Sequence, residues 1–267
     1  MSKFGFIGTG NMGGALARAV AKAVGNDNVI LSDKSAVSAQ LLADELKCSY
    51  ADTETVVKTA KFIFLGVKPQ VLPDVITAIS PVLANRTDRF VLVTMAAGVA
   101  LSKFDEMFGT KYPVIRIMPN TPVQKGKGMI QYCANSAVFM DELSEFCDSL
   151  KFAGRVDKLQ EKLIDAASAV SGCGPAFAYL FAEALADAGV ECGLPRNKAI
   201  EYASQMLSGA AELLLTTGKH PGVLKDEVCS PGGTTIAGVH ALETNGFRGA
   251  VMSAVKAAYD KTKALSK

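Results

Sequence analysis

Two hydrophobic rhythms divide the chain. Up to about residue 157, short apolar runs alternate with longer stretches of helical period. The runs at 3–8 (KFGFIG), 28–32, 61–67 (KFIFLGV), 90–95, 114–118 and 128–134 read as strands, with Val156 marking a closing one. Several are apolar throughout, as strands covered on both faces should be. Between them, about 14–24, 36–47, 70–84, 101–108 and 141–151 carry apolar residues three and four apart, as Leu41, Leu42 and Leu46 do. This alternation predicts an α/β domain over 1–157. From about 158 the strand-like runs stop. Helical periods continue over 160–171, 175–192, 195–217 and 234–264, punctuated by Gly172-Cys173-Gly174-Pro175, Gly193-Leu194-Pro195 and Lys219–Gly222. The second of these helices carries Phe177, Leu180, Phe181, Ala184, Leu185 and Ala188 on more than one face. A helix apolar on several faces needs cover on all of them. The expected second domain, 158–267, is too small to supply that cover alone, so a subunit interface is expected.

The chemistry lies between the elements. Gly8-Thr9-Gly10-Asn11-Met12-Gly13 follows the first strand and opens the first helix. Such a loop gives a tight turn, backbone access for a pyrophosphate and close helix–strand packing. Asp33 ends the second strand about twenty positions after Gly13, where an acid often takes the adenine ribose 2′-OH of NAD. Lys34 follows it and suits the 2′-phosphate of NADP, so this turn argues both ways. Lys68-Pro69-Gln70 and Pro119-Asn120-Thr121-Pro122 are turns at the carboxyl ends of strands, where ligands of open parallel sheets sit. In the C-terminal half, Ser230-Pro231-Gly232-Gly233-Thr234-Thr235 runs straight into an apolar-periodic helix through Ile236, Val239 and Leu242. That junction offers free backbone N–H groups, hydroxyls and a positive helix end, which together suit a small anion. A plain loop with a threonine cap is the simpler reading of the same residues.

Composition narrows the field. The 267 residues are 49% hydrophobic and 20% charged, with a net charge of +2 and no basic block, so no nucleic-acid partner is expected. No signal-peptide pattern and no run of about 18 uninterrupted apolar residues is seen, so no membrane partner is expected either. Six scattered cysteines without C-x-x-C spacing, and only two histidines, argue against a metal site or a disulfide framework. Free thiols in a cytoplasmic setting are the expectation.

Four motifs carry a family resemblance: Phe6–Gly13 (FIGTGNMG), Val67–Gln70 (VKPQ), Arg116–Pro122 (RIMPNTP) and Ser171–Phe177 (SGCGPAF). With Leu224–Glu243, they span essentially the whole chain in order. The chain resembles pyrroline-5-carboxylate reductase. The resemblance implies a Rossmann dinucleotide-binding domain followed by an all-helical dimerisation domain, with homodimers assembling into a decameric ring. It implies reduction of 1-pyrroline-5-carboxylate to L-proline with NADPH, NADH also being possible. It places Ile7, Gly8, Thr9, Gly10, Asn11 and Met12 on the cofactor phosphates, Lys34 on the 2′-phosphate, and Gly66, Val67, Lys68 and Pro69 beside the nicotinamide. Ser230, Thr234 and Thr235 would hold the substrate carboxylate, with the Thr235 hydroxyl near the ring nitrogen as the catalytic contact. Asp52 stands where relatives can carry an Asn near the adenosine.

The residues themselves agree with such chemistry. Reducing a cyclic imine needs a bound hydride donor, an oriented ring and a proton on nitrogen, and no His or Tyr base if the imine arrives protonated. Two other readings compete. A β-hydroxyacid dehydrogenase would use a lysine of the second domain, for which Lys198 and Lys225 are the candidates. A nucleotide-sensing protein would keep the Rossmann half and need no hydroxyl loop.

Overall fold

The apolar runs become the middle of one eight-stranded sheet. A computed structural model describes residues 4–265 of the chain. In chain order the elements of the sheet-bearing half are β1 (Phe4–Ile7), α1 (Asn11–Val24), β2 (Val29–Ser32), α2 (Ala36–Leu46), β3 (Ser49–Tyr50), α3 (Thr53–Thr59), β4 (Phe62–Leu65), α4 (Leu72–Ala84), β5 (Val91–Thr94), α5 (Leu101–Phe108), β6 (Val114–Met118), β7 (Gly128–Ala134), α6 (Met140–Ser149) and β8 (Gly154–Lys158). The sheet order is β3-β2-β1-β4-β5-β6-β7-β8. Every pairing is parallel except β6 with β7.

Alternate residues of the central strands feed two cores, one on each face, as the strand period of two requires. Phe4, Phe6, Phe62 and Phe64 join Leu16, Val20 and Phe146 on one side. Ile63 and Leu65 join Ile76, Leu83 and Phe104 on the other. The register sets Phe6 beside Phe64, and their rings stack with centroids 4.4 Å apart. Two short elements, β3 and α3, escaped the rhythm of the sequence, since a two-residue strand has no period. α1 begins at Asn11, earlier than the expected Gly14, and α4 begins at Leu72 with a proline in its first turn, later than expected. Pro69 therefore lies in the preceding turn.

One charged residue sits inside the sheet. Arg116 of β6 is 3% exposed and donates from Nη2 to Asp165 at 2.8 Å and from Nη1 to Glu161 at 3.3 Å. Lys263 reaches the other Asp165 oxygen at 3.5 Å. Two carboxylates and two cations thus neutralise one another locally, which is the condition for burying such groups.

Helices make up the rest: α7 (Glu161–Ala167), a π-helical turn (Ser168–Gly172), α8 (Gly174–Glu191), α9 (Arg196–Thr217), α10 (Pro221–Val228), α11 (Thr234–Thr244) and α12 (Phe247–Leu265). The chain divides into two compact units, one running through Cys173 and resuming at Ala258, the other covering Gly174–Ala257. Three expectations fail here. The 160–171 and 175–192 segments are joined. At the junction Cys173 N–H donates to the Ser168 carbonyl five residues back, at 3.0 Å. The expected 234–264 helix is broken at Asn245-Gly246, where Gly246 adopts φ 72°. α10 was not anticipated at all: His220 caps it, with Nδ1 accepting the Gly222 N–H at 3.1 Å, and Pro221 follows at its first position.

Joining α7 to α8 has a second effect. Glu161–Glu191 is one 31-residue helical run, long and apolar enough to cross a membrane by length and composition. The separate segments of the sequence reading hid this. Within the second unit, apolar side chains such as Tyr179, Leu180, Leu215 and Met252 are more than half exposed, while Ala186, Ala199 and Ala203 are buried. The apolar faces read from the sequence are therefore real and uncovered within one chain.

Candidate active site

The glycine loop is held by contacts that no side chain could share. Gly8 adopts φ +95°, and a Cβ there would lie 2.6 Å from the Gly66 carbonyl oxygen. A Cβ on Gly13 would land on the Gly8 carbonyl. Around them Gly8 N–H donates to the Ser32 carbonyl and Gly66 N–H to the Ile7 carbonyl, each at 2.8 Å. Ile7, Gly8 and Gly66 thus meet, while Val67, Lys68 and Pro69 form the turn leading to α4. The Lys68 carbonyl accepts from Val71 N–H at 2.9 Å.

Gly10 differs from its neighbours. Nothing lies within 4 Å of a Cβ placed there, and it caps α1 without any side-chain bond. The first N–H groups of a 14-residue helix therefore open onto a cleft of about 860 Å³, lined by Thr9, Gly10, Asn11, Asp33, Gln124 and Lys125 among others. An uncapped positive helix end beside a cleft suits a phosphate. The residues present fit a dinucleotide.

Asp33 has a role in the loop that the sequence did not reveal. Its Oδ2 accepts the Thr9 N–H at 2.6 Å and the Thr9 hydroxyl at 3.1 Å, and its Oδ1 accepts the Ser35 N–H at 2.9 Å. Burial pushes this carboxyl up, but the three hydrogen bonds outweigh it and hold it below the ordinary carboxylate range. Lys34 beside it is exposed and has no ion-pair partner among the described residues. Asp52 caps α3, accepting Thr55 N–H at 2.7 Å, so local structure accounts for it.

Two of the sequence motifs meet. Pro175 has no N–H to offer the Ser171 carbonyl four residues back. Asn120, 9% exposed, fills that vacancy by donating from Nδ2 at 2.9 Å, while its Oδ1 accepts Met129 N–H at 2.9 Å. Gln131 donates to the Ser171 hydroxyl at 2.9 Å, and that hydroxyl bonds back to the Ala167 carbonyl at 2.9 Å. The Asn-Thr turn is thereby tied to the π-helical turn. The motifs were visible in the sequence, but this pairing was not.

In the second unit, the 230–235 loop opens α11. Pro231-Gly232 turns the chain, with Gly233 N–H donating to the Ser230 carbonyl at 3.0 Å and Gly232 at φ 69°. The cap is Gly233, which has no side chain to satisfy the helix end. Thr234 and Thr235 are the first two helical residues, so the threonine-cap alternative does not hold. Among the described residues, the hydroxyls of Ser230, Thr234 and Thr235 make no hydrogen bond within the chain. A groove of about 530 Å³ runs along α11, lined by Gly232, Gly233, Ile236, Val239, His240 and Glu243, and none of the three hydroxyl residues lines it. Three free hydroxyls at an uncapped helix end can receive a small carboxylate.

The rival catalytic groups are occupied. Lys198 pairs with Glu201 at 2.8 Å. Lys225 pairs with Asp226, and that hydrogen bond, followed in weight by the opposing effect of burial, leaves the ammonium's pKa raised. Each lysine is engaged by a neighbouring carboxylate. All six cysteines are unbridged, and burial pushes Cys48 and Cys133 up to about 11. Among the described residues no cluster of His, Cys, Asp or Glu could hold a metal.

Comparison with known proteins covers the whole chain. Residues 161–265 match the family model for pyrroline-5-carboxylate reductase dimerisation, and residues 3–98 that for coenzyme F420-dependent NADP oxidoreductases. The chain is 39% identical over 264 residues to a pyrroline-5-carboxylate reductase of Pisum sativum, spanning 98% of this chain and 95% of the relative. Among solved structures it is similar to the Plasmodium falciparum pyrroline carboxylate reductase with NADP bound, at a TM-score of 0.86 and 34% identity over 100% of this chain and 98% of that one. It is similar also to the Coxiella burnetii pyrroline-5-carboxylate reductase, at a TM-score of 0.91 and 28% identity over 100% and 99%.

Proposed function

We propose a residue-level account of catalysis from the premise that this chain belongs to the pyrroline-5-carboxylate reductase family. The protein is an NAD(P)H-dependent oxidoreductase that reduces the C=N bond of 1-pyrroline-5-carboxylate to give L-proline, the last step of proline biosynthesis. It binds a nicotinamide dinucleotide and assembles with copies of itself. The account of its residues rests above all on the Gly233-capped end of α11 with its three free hydroxyls.

Ser230, Thr234 and Thr235 receive the substrate carboxylate through hydroxyls and the first N–H groups of α11. The Thr235 hydroxyl also lies against the ring nitrogen. The reduced nicotinamide, when bound, supplies the hydride. As the new C–H bond forms at the imine carbon, the C=N pair passes to nitrogen, which already holds its proton. Thr235 keeps that nitrogen hydrogen-bonded while it changes from planar to tetrahedral. Orientation supplies much of the rate, because reacting atoms held near contact gain a large effective concentration.

For the cofactor, Ile7–Met12 cradle the phosphates and Gly66–Pro69 border the nicotinamide. NADPH is the preferred donor and NADH is also used. The unpaired Lys34 supports this, as does the NADP found with the Plasmodium falciparum relative. The helical segment 158–267 is the dimerisation and substrate domain and 1–157 the Rossmann domain. Its uncovered apolar faces support a homodimer, further assembled as a decamer. A partner copy, rather than a membrane, then covers the Glu161–Glu191 helix. The unbridged cysteines support a cytoplasmic setting.

The test is a steady-state assay of purified protein with pyrroline-5-carboxylate and each reduced cofactor, alongside Lys34→Ala. Turnover with both donors, favouring NADPH, and a lower NADPH:NADH ratio of kcat/KM in the variant are expected. An unmoved ratio would make Lys34 a surface lysine only.

A further inference from the structure

We infer that Glu161 is a positioning residue for hydride transfer: its carboxylate ties down the turn that follows β5, beside the turn that borders the nicotinamide. This rests on the cofactor reading above and adds to it a second turn and the group that fixes it. The strands place that turn. Leu65, the last residue of β4, pairs in parallel with Thr94, the last residue of β5. The turns at 66–69 and 95–100 therefore leave the sheet side by side, about 4.8 Å apart, at its carboxyl edge. Ala97, at the tip of the second, is exposed.

The 95–100 turn has little of its own to hold it. It bends at Gly98, whose φ is 75°. Ala96 N–H reaches the Thr94 hydroxyl at 3.3 Å, and Val99 N–H reaches the Ala96 carbonyl at 3.4 Å, both long bonds. The far end of the turn is the start of α5, whose cap, Ala100, has no side-chain oxygen for the first N–H groups. Glu161 supplies one from 60 residues away: its Oε1 accepts the Leu101 N–H at 2.6 Å. The same oxygen accepts Arg116 Nη1 at 3.3 Å. Arg116 is buried in the sheet in register with Thr94, and its other arm is held by Asp165. The turn is thus slung from one layer of the sheet, by Thr94 at its start and through Glu161 by Arg116 at its end. The cofactor's phosphates and adenosine hold it at the other domain loops, so slack in this turn disturbs the aim of the nicotinamide and not its binding. Aim is where small displacements tell, since an error of about 1 Å can slow a reaction about a hundredfold.

The experiment is a single-turnover measurement on the full chain. NADPH-loaded enzyme in excess is mixed with pyrroline-5-carboxylate, and the loss of nicotinamide absorbance gives the rate constant of hydride transfer at saturating enzyme. NADPH affinity is measured by fluorescence titration. That rate constant does not depend on how much of the sample is folded, so a merely structural role leaves it unchanged. Glu161→Ala should lower it about tenfold or more, with NADPH affinity within about threefold of wild type. Glu161→Gln keeps an oxygen for the Leu101 N–H and should stay within about threefold of the wild-type rate constant. Leu101→Pro removes the same bond from the donor side and leaves the Glu161–Arg116 pair intact. Proline suits that first helical position, and Ala100 before it is already extended at φ −76° and ψ 158°. Leu101→Pro should slow transfer as Glu161→Ala does, and it carries the test if Glu161→Ala does not fold. A wild-type rate constant in Glu161→Ala or Leu101→Pro overturns the proposal, and so does a Glu161→Gln enzyme as slow as Glu161→Ala. Val67→Ala, in the neighbouring turn, tests the cofactor reading itself. If it slows transfer and the Glu161 and Leu101 variants do not, only the present proposal falls; if none of them slows it, the nicotinamide assignment falls as well.

Discussion

Thr235→Ala should separate catalysis from stability. Thr235 is the second residue of α11, is exposed and makes no side-chain hydrogen bond within the described chain. The helix is capped by Gly233, so removing the hydroxyl costs no cap. Alanine is also the better helix former, by up to about 0.7 kcal/mol. The melting temperature should therefore hold or rise slightly. Catalysis should move the other way. Losing one oriented hydrogen bond to a charged substrate costs about 1.5–3 kcal/mol, which is roughly tenfold to over a hundredfold in kcat/KM. The backbone N–H groups of α11 remain, so part of the carboxylate binding survives. Titration of NADPH fluorescence should give wild-type affinity, because the dinucleotide loop is a separate structure. Thr235→Ser should retain much of the activity. A folded Thr235→Ala enzyme that turns over pyrroline-5-carboxylate like the wild type would refute the assignment. A melting temperature several degrees lower would refute the claim that the hydroxyl is structurally idle.

Gly10→Val should fold, since nothing lies within 4 Å of the new Cβ, yet lose most cofactor affinity in a fluorescence titration; retained affinity would remove Gly10 from the phosphate site. Asp165→Ala should leave Arg116 buried beside Glu161 alone and cost about 3–5 kcal/mol in a urea titration, a cost absent if the pair is dispensable. The melting temperature should rise with protein concentration, because the exposed apolar faces of the helical unit are stabilised by mass action in a dimer; a concentration-independent transition would count against that interface.

The sequence reveals what repeats and hides what does not. The parallel strands were legible because their runs are apolar on both faces, and the phosphate loop because glycines are forced there by close backbone approach at Gly8 and Gly13. The joined helix was hidden because Gly172-Cys173-Gly174-Pro175 carries every local sign of a break. A long-range bond, Asn120 to the Ser171 carbonyl, stands in for the N–H that Pro175 lacks, and no local pattern encodes it. The Asn245-Gly246 break was hidden for the opposite reason, since apolar spacing continues across it. The spacing put Asp33 at the end of the second strand, but its grip on Thr9 needed coordinates. The hydroxyl-rich loop and the helix after it were legible, whereas the identity of the cap was not.

The Lys263–Asp165 contact has a consequence for synthesis on the ribosome. The sheet-bearing unit is discontinuous: its final piece, from Ala258 onward, is made after the entire intervening helical unit. Lys263 is translated roughly a hundred residues after Asp165, an interval of about 5–20 s at ordinary elongation rates. Throughout that time the nascent sheet holds Arg116 between two carboxylates with one countercharge missing. The first unit to emerge is thus among the last to be finished, and a chain halted before its last helix would carry a nearly complete sheet with an unbalanced acidic site at its heart.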